Sequence, residues 1–268
     1  MREIEIKNLH SYPLKSANGF SMKQVDVEKT GFYFDRSFAV IDTEYTVITA
    51  RENSRLLLIQ ASLENELLMI SIPGEKQINV EFGVLNKERS QVILFKTIVQ
   101  SKVIEHEINI VLSKFLDQQL KLICVDKSKM RVVKEKYNGG FEDEISFNDI
   151  APIHLVNEAS VQDLNLKLQK PVLSERFRPN IIITGAPAYA EETWKKIKIG
   201  TCEFEVITKT ERCSLITIDP ETTIKDSKQE PLRTLAQQKR DKKVVFGIYL
   251  IPRKLGVIRL EDKVEILE

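Results

Sequence analysis

Apolar and polar residues alternate around Ile4 and Ile6, break at Tyr12-Pro13-Leu14-Lys15-Ser16 and a turn at Gly19, and alternate again at Val25 and Val27. A period of two marks a half-buried strand, so this stretch predicts two short strands around an irregular loop. Residues 31–41 read as an apolar strand that carries an ion pair in sequence, Asp35-Arg36. Thr49-Ala50-Arg51 and Arg55-Leu56-Leu57-Leu58-Ile59 read as a turn feeding a strand. About three more strands follow between Ala61 and Phe95, with turns at Pro73-Gly74 and Asn86-Lys87. The period then changes: Ile108, Val111, Leu112, Phe115 and Leu116 recur at helical spacing, predicting a helix over 108–120 and a strand over 120–125. Residues 130–149 are polar and contain Asn138-Gly139-Gly140, which predicts a surface connection and a division into residues 1–130 and 131–268.

Beyond Pro152 a short strand over 153–156 leads into a helix to about Gln169, capped by Asn157 or Ser160, with Val161, Leu164 and Leu168 on one face. Residues 181–185 form a buried strand entered through Phe177-Arg178-Pro179-Asn180. Residues 196–206 alternate as a hairpin turning at Gly200-Thr201, with Cys202 facing the core. Glu230-Pro231-Leu232 opens a helix, Phe246-Gly247 lies in a strand, and a closing pair of short strands occupies 256–267. The fold class is therefore α+β, predominantly β, with a few peripheral helices.

The 268 residues include 42% apolar side chains, enough for a conventional core. Forty basic against 39 acidic residues leave a net charge of +1, so no overall field favours nucleic acid or an anionic membrane. No apolar run approaches the roughly 18 residues of a bilayer span, and the alternating N-terminus does not read as a signal peptide; a cytoplasmic location is expected. Cys124, Cys202 and Cys213 are too few and too scattered for a disulfide framework, and no Cys-x-x-Cys pair suggests structural zinc.

One cysteine stands apart. Cys213 directly follows Arg212 and precedes an apolar, β-branched run. Thiolate is the metal-binding form of cysteine and a neighbouring guanidinium stabilises it, most readily from a turn. The plainer alternative is an inert core cysteine. Lys15 and Ser16 offer a point cation and a hydroxyl suited to phosphate, against the ordinary case of a solvated loop lysine. Arg36, inside an apolar run, either pairs with its neighbours or serves as a fork for an oxyanion. The helix start at Asn157-Ser160 is a weak anion site of the kind every helix has.

In this order these anchors resemble the MOSC superfamily, in the form with an MOSC N-terminal β domain ahead of the MOSC domain. They are Tyr12 to Ser16, Gly31 with Asp35-Arg36, Thr49-Ala50-Arg51 with Arg55-Leu56, Phe177-Arg178-Pro179-Asn180-Ile181, Trp194 with Ile199-Gly200, Arg212-Cys213, Asp219-Pro220, Pro231-Leu232 with Thr234-Leu235, and Phe246-Gly247. The nearest likeness is to the mitochondrial amidoxime-reducing components and their bacterial relatives. The resemblance implies a molybdenum cofactor, a molybdopterin with a terminal phosphate, ligated through Cys213. Lys15, Ser16, Arg36 and Arg178 are the implied pterin and phosphate contacts, with Asn157, Ser160, Asn180, Thr210 and Arg212 as further donors to the pterin edge. It also implies reduction of N-hydroxylated small molecules with electrons from a separate ferredoxin- or cytochrome-type protein, since neither the mitochondrial membrane anchor nor a fused ferredoxin module is expected here. No nucleic acid or membrane partner is implied.

The chain departs from close relatives at Thr210, where they often carry a second cysteine, at Asn157, where they often have serine or threonine, and at Glu261-Asp262 in place of a Gly-Asp turn. Two other functions remain on the same residues. A sulfur-carrying module would bear a persulfide on Cys213. A cysteine hydrolase would need a histidine beside it, and His10, His106 and His154 show no such arrangement in sequence.

Overall fold

The computed structural model describes residues 3–82, 88–138, 142–238, 240 and 242–268. It is predominantly β, and its largest sheet has eight strands. At the centre of that sheet, Ile153–Asn157 lies between Ile181–Thr184, which runs parallel to it, and the antiparallel Val245–Lys254. Outward on one side come Cys202–Glu211, Lys196–Ile199 and Val264–Ile266; on the other, Glu5–Ser11 pairs with Ile181–Thr184 and Phe20–Met22 forms the edge. Alternation sorts the side chains. Leu155, Ile181, Ile183, Ile248 and Leu250 join Ile6, Leu9, Ile197 and Phe204 in one core, while Val156 and Phe246 face the other way onto Val161, Leu164, Phe177 and Leu235.

A five-stranded sheet contains Glu88–Leu94, Thr97–Val103, Lys121–Val125, Phe38–Ile41 and Val47–Ile48. With the three-stranded sheet Gln60–Glu64, Leu67–Ser71, Ile78–Glu81 it encloses a second core. The Ile108–Leu116 helix buries Ile108, Leu112 and Leu116 in that core, as the four-residue spacing predicts. It stops short of residue 120 because Asp117 turns left-handed (φ 53°) and its N–H closes on the Ser113 carbonyl.

The two cores are tied at several places. Residues 12–19 leave the large sheet and cross to the second one, where Lys15 N donates to the Phe38 carbonyl at 2.8 Å and Asn18 N to that of Ile59 at 2.8 Å. Gly256–Arg259 pairs with Gln24–Glu28 within the first core, where Ile258 joins Val25 and Val27. Among the described residues no helix is long and apolar enough to cross a membrane.

Several expectations change. Residues 31–41 are not one strand but Gly31–Phe32 and Phe38–Ile41 around a turn, because Phe34 and Arg36 adopt positive φ (54° and 49°). Residues 54–58 form a 3-10 helix, not the start of a strand; the Asn53 side chain accepts from Arg55 N and the turn buries Leu56 and Leu57. The closing strands do not pair with each other: Gly256–Arg259 joins Gln24–Glu28 and Val264–Ile266 joins Lys196–Ile199. Glu261 sits at φ 68°. Asn157, not Ser160, caps its helix, which ends at Asn165. The turn expected at Asn86-Lys87 and the Gly139-Gly140 pair lie outside the described residues.

Glu191 illustrates how the helical layer is pinned. Its fully buried carboxylate accepts from Ser160 Oγ (2.9 Å) and Asn157 Nδ2 (3.1 Å), joining the helix Glu158–Asn165 to the turn Ala190–Thr193. Burial pushes its pKa above the ordinary glutamate value despite these bonds. A raised carboxyl pKa means the folded chain resists losing a proton that the unfolded chain gives up freely, so stability falls as pH climbs through and above the usual glutamate range. Glu191→Gln, which keeps the shape and cannot ionise, is expected to raise Tm at about pH 7, with the gain vanishing near pH 4; thermal unfolding across that range measures it.

Candidate functional site

The residues that cross between the two cores open onto a cleft of about 100 Å³. Five of its lining side chains are basic (Lys15, Arg36, Arg51, Arg178, Arg212) and two acidic (Asp149, Glu211). In a chain that is nearly neutral overall, this is a local concentration of positive charge suited to an anion.

Each basic group is fixed by its element. Lys15, on the crossing loop, donates to the Phe147 carbonyl at 2.7 Å and pairs with Asp149 at 2.6 Å. Burial lowers the Lys15 pKa more than this pairing restores it. Burial would raise Asp149, but Lys15, with Arg51 and Arg131 nearby, outweighs that and holds it down to about 2. Arg36 is gripped from three sides: Nη1 meets Asp35 at 2.5 Å and Asn180 Oδ1 at 2.9 Å, and Nη2 donates to the Arg178 carbonyl at 3.0 Å. Burial opposes the Arg36 charge, yet Asp35 more than compensates and keeps its pKa above the ordinary value. Two guanidiniums meet the Tyr12 ring, with Arg36 and Arg178 each 4.4 Å from its centroid. Arg178 has no ion pair among the described residues; burial, reinforced by Arg36, pulls its pKa down to about 10.

The backbone is strained where these groups emerge. Ser16 (φ 68°), Arg36 (49°) and Arg178 (55°) all occupy the left-handed region that non-glycine residues seldom enter. For Arg178 the cause is local. The 3-10 turn Ser174–Phe177 closes through the Arg178 N–H, and Phe177 stacks on Phe246 at 4.1 Å. Gly247 follows with φ 76°, at a point where a Cβ would lie 2.5 Å from the Leu155 carbonyl and 2.7 Å from His154 Nε2. Only glycine lets the strand pass that close to the histidine.

Cys213 is exposed and opens onto the cleft, so it is not a packed core residue, whereas Cys124 and Cys202 are buried. The strand ends at Glu211, and Cys213 caps a 3-10 turn, Ser214–Thr217. The break in alternation brings Arg212 and Cys213 to the same cleft. Three cleft residues carry buried polar atoms without a partner: Asn148 Oδ1, His154 Nε2 and Arg212 Nε. Burial, then Arg212 and Arg36, keep the His154 imidazole pKa well below its usual value. Its Nε2 makes no hydrogen bond, to Cys213 or otherwise, so the nucleophile–base contact of a cysteine hydrolase is not formed. Tyr249 completes the wall, its phenol pKa raised by burial and then by Asp149.

Lys15, Ser16, Arg36, Arg178, Asn180, Arg212 and Cys213 are thus brought together. Asn157 is not: its Oδ1 accepts from Ala159 N and its Nδ2 is spent on Pro187 and Glu191, within the helical layer. Ser160 is likewise committed to Glu191. Thr210 is fully buried one residue before the strand's exposed end, and its Oγ1 does not reach the cleft. Tyr249, Asn148, Asp149 and His154 also line the cleft; they lie on strands and a connection whose pattern reads as core or surface, and the unplaced histidine is the one signal of them in the sequence.

Residues 142–265 match the MOSC domain and residues 3–119 the MOSC N-terminal beta barrel domain. The chain is 34% identical to mitochondrial amidoxime reducing component 2 of Rattus norvegicus, over 94% of this chain and 80% of that protein. It is 29% identical to mitochondrial amidoxime-reducing component 1 of Homo sapiens, over 98% and 82%. Molybdenum cofactor sulfurase of Arabidopsis thaliana matches at 28% identity, over 91% of this chain but 32% of that protein.

The Arg36 node carries the cleft, and Asp35 carries Arg36: 1% exposed, it also accepts from Tyr12 N at 2.8 Å. Asp35→Ala would leave a buried guanidinium without its carboxylate. The expected cost is about 3 kcal/mol in denaturant unfolding.

Proposed function

Because the chain belongs to the MOSC family that includes the mitochondrial amidoxime-reducing components, we propose that it is a molybdenum-cofactor-dependent oxidoreductase. It reduces N-hydroxylated compounds, hydroxylamines and amidoximes, to amines. One observation carries the reading: the exposed sulfur of Cys213 opens onto the same cleft as Lys15, Ser16, Arg36 and Arg178.

The donor set fits the cofactor. Two guanidiniums, an ammonium and a hydroxyl are what a terminal phosphate requires, and Cys213 offers the soft thiolate that suits molybdenum. Unpartnered atoms on Asn148, His154 and Arg212 suit the hydrogen-bonding edge of a pterin. Lys15, Ser16, Arg36 and Arg178 would hold the phosphate and Arg212 the pterin edge, while Asn180, its amide spent on Arg36, His154 and His10, would keep Arg36 in place. When bound, the group supplies a redox-active metal competent to take oxygen from the N–O bond.

The residues around it orient and protonate. Lowered by burial and by the neighbouring guanidiniums, His154 stays neutral near pH 7, and Tyr249 keeps its proton on Oη and can donate it as a hydrogen bond. The overall change joins the substrate N–OH with two electrons and two protons to give the N–H compound and water. A separate ferredoxin- or cytochrome-type protein would supply the electrons.

A second reading draws on the likeness to the Arabidopsis sulfurase: Cys213 would carry a transferable persulfide sulfur, which isotopic labelling would detect. For the reductase, protein purified from a host that makes the cofactor should contain molybdenum and reduce benzamidoxime anaerobically with an artificial electron donor. Cys213→Ala should lose both the metal and the activity. Wild-type protein free of molybdenum would overturn the proposal.

A further inference from the structure

Residues 130–149 read as a polar connection, yet 131–137 and 142–149 build a wall. Arg131–Val132 pairs with Glu144–Ile145, and Val133 and Ile145 are buried against Ile251 of the large sheet. This anchoring places Arg131 and Lys134 around a cavity of about 270 Å³, whose wall also includes Arg51, Phe95, Tyr137 and Asp149. Arg51 and Asp149 line the cofactor cleft as well, so the two spaces adjoin.

The charge in this second cavity is unbalanced. Its one acid, Asp149, is already taken by Lys15 at 2.6 Å. Among the described residues no carboxylate forms an ion pair with Arg51, Arg131 or Lys134. Arg131 donates through Nε to the Ser146 carbonyl at 2.8 Å, but its Nη2 is buried without a partner. Burial draws the Arg131 guanidinium down to about 10, with Asp149 opposing. A guanidinium kept in that condition is costly unless an anion completes it. Phe95, whose ring lies 4.7 Å from the Arg51 guanidinium, and Tyr137 add flat apolar walls of the kind an aryl group fills.

We propose that this cavity is an anion subsite that favours N-hydroxylated substrates carrying a carboxylate or phosphate beside an aryl group. The substrate assignment rests on the reductase reading above, and the site itself on the geometry alone. Arg51, Arg131 and Lys134 hold the anion while the N–O group points to the cofactor cleft.

The test compares 4-carboxybenzamidoxime with neutral benzamidoxime, using cofactor-loaded enzyme. Wild type should prefer the carboxylated substrate in kcat/KM. Lys134→Gln, at an exposed position, and Arg131→Gln should each cut that preference roughly ten-fold, through KM, with molybdenum content retained. An unchanged preference in both variants overturns the subsite. Calorimetry with terephthalate separates failure of the site from failure of the reductase reading. Weaker binding by the two variants than by wild type upholds the subsite even in a preparation that reduces neither amidoxime, and equal binding overturns it.

Discussion

The Arg36 guanidinium is the knot between the two ends of the polypeptide. It is held by its own neighbour Asp35, yet two of its three contacts go to Asn180 and to the Arg178 carbonyl, more than 140 positions away in the chain. Asn180 in turn accepts from His154 N and donates to the His10 carbonyl, so four separate stretches meet at one side-chain amide. Such a buried network is strong only while every member is satisfied. That makes the cleft's geometry a property of the assembled fold and not of any single loop.

The same economy explains the distorted backbone. Ser16, Arg36 and Arg178 each adopt a conformation that costs of order 1 kcal/mol or more for a side chain with a Cβ. Tertiary contacts supply the compensation: the Lys15 N–H on Phe38, the trifurcated grip on Arg36, and the Phe177–Phe246 stack below Arg178. The same conformation also serves ordinary turns, as at Asp117 and Tyr45, so what distinguishes the cleft is the convergence of its donors and not the backbone shape alone.

Much of this was legible from residue order, for identifiable reasons. Strands with one dry face announce themselves by alternation, as Val25 and Val27 do, and the Ile108 helix by its four-residue repeat. Cys213 stands out because an arginine precedes it, and the spaced anchors name Lys15, Ser16, Arg36 and Arg178 as the residues that line its cleft. What local pattern could not convey was where a side chain's hydrogen bonds are spent. Asn157 looks like a free donor in sequence but is consumed by a cap and by Glu191. Conversely, His154 and Tyr249 sit on strands that read as ordinary core, and only the register between Ile153–Asn157 and Val245–Lys254 sets them side by side. The left-handed turn at Phe34 and Arg36 was hidden for a related reason: nothing in the residue types requires it.

The crossed pairing of the chain's extremities has a consequence for biosynthesis. Glu5–Ser11 is synthesised long before its partner Ile181–Thr184, and Gln24–Glu28 long before Gly256–Arg259. Until those partners are made, the earlier strands present open edges, which is the condition that invites wrong pairing between nascent chains. The cleft closed by the Arg36–Asn180 contact can therefore form only after residue 180 has been synthesised, which makes the pocket a late product of folding.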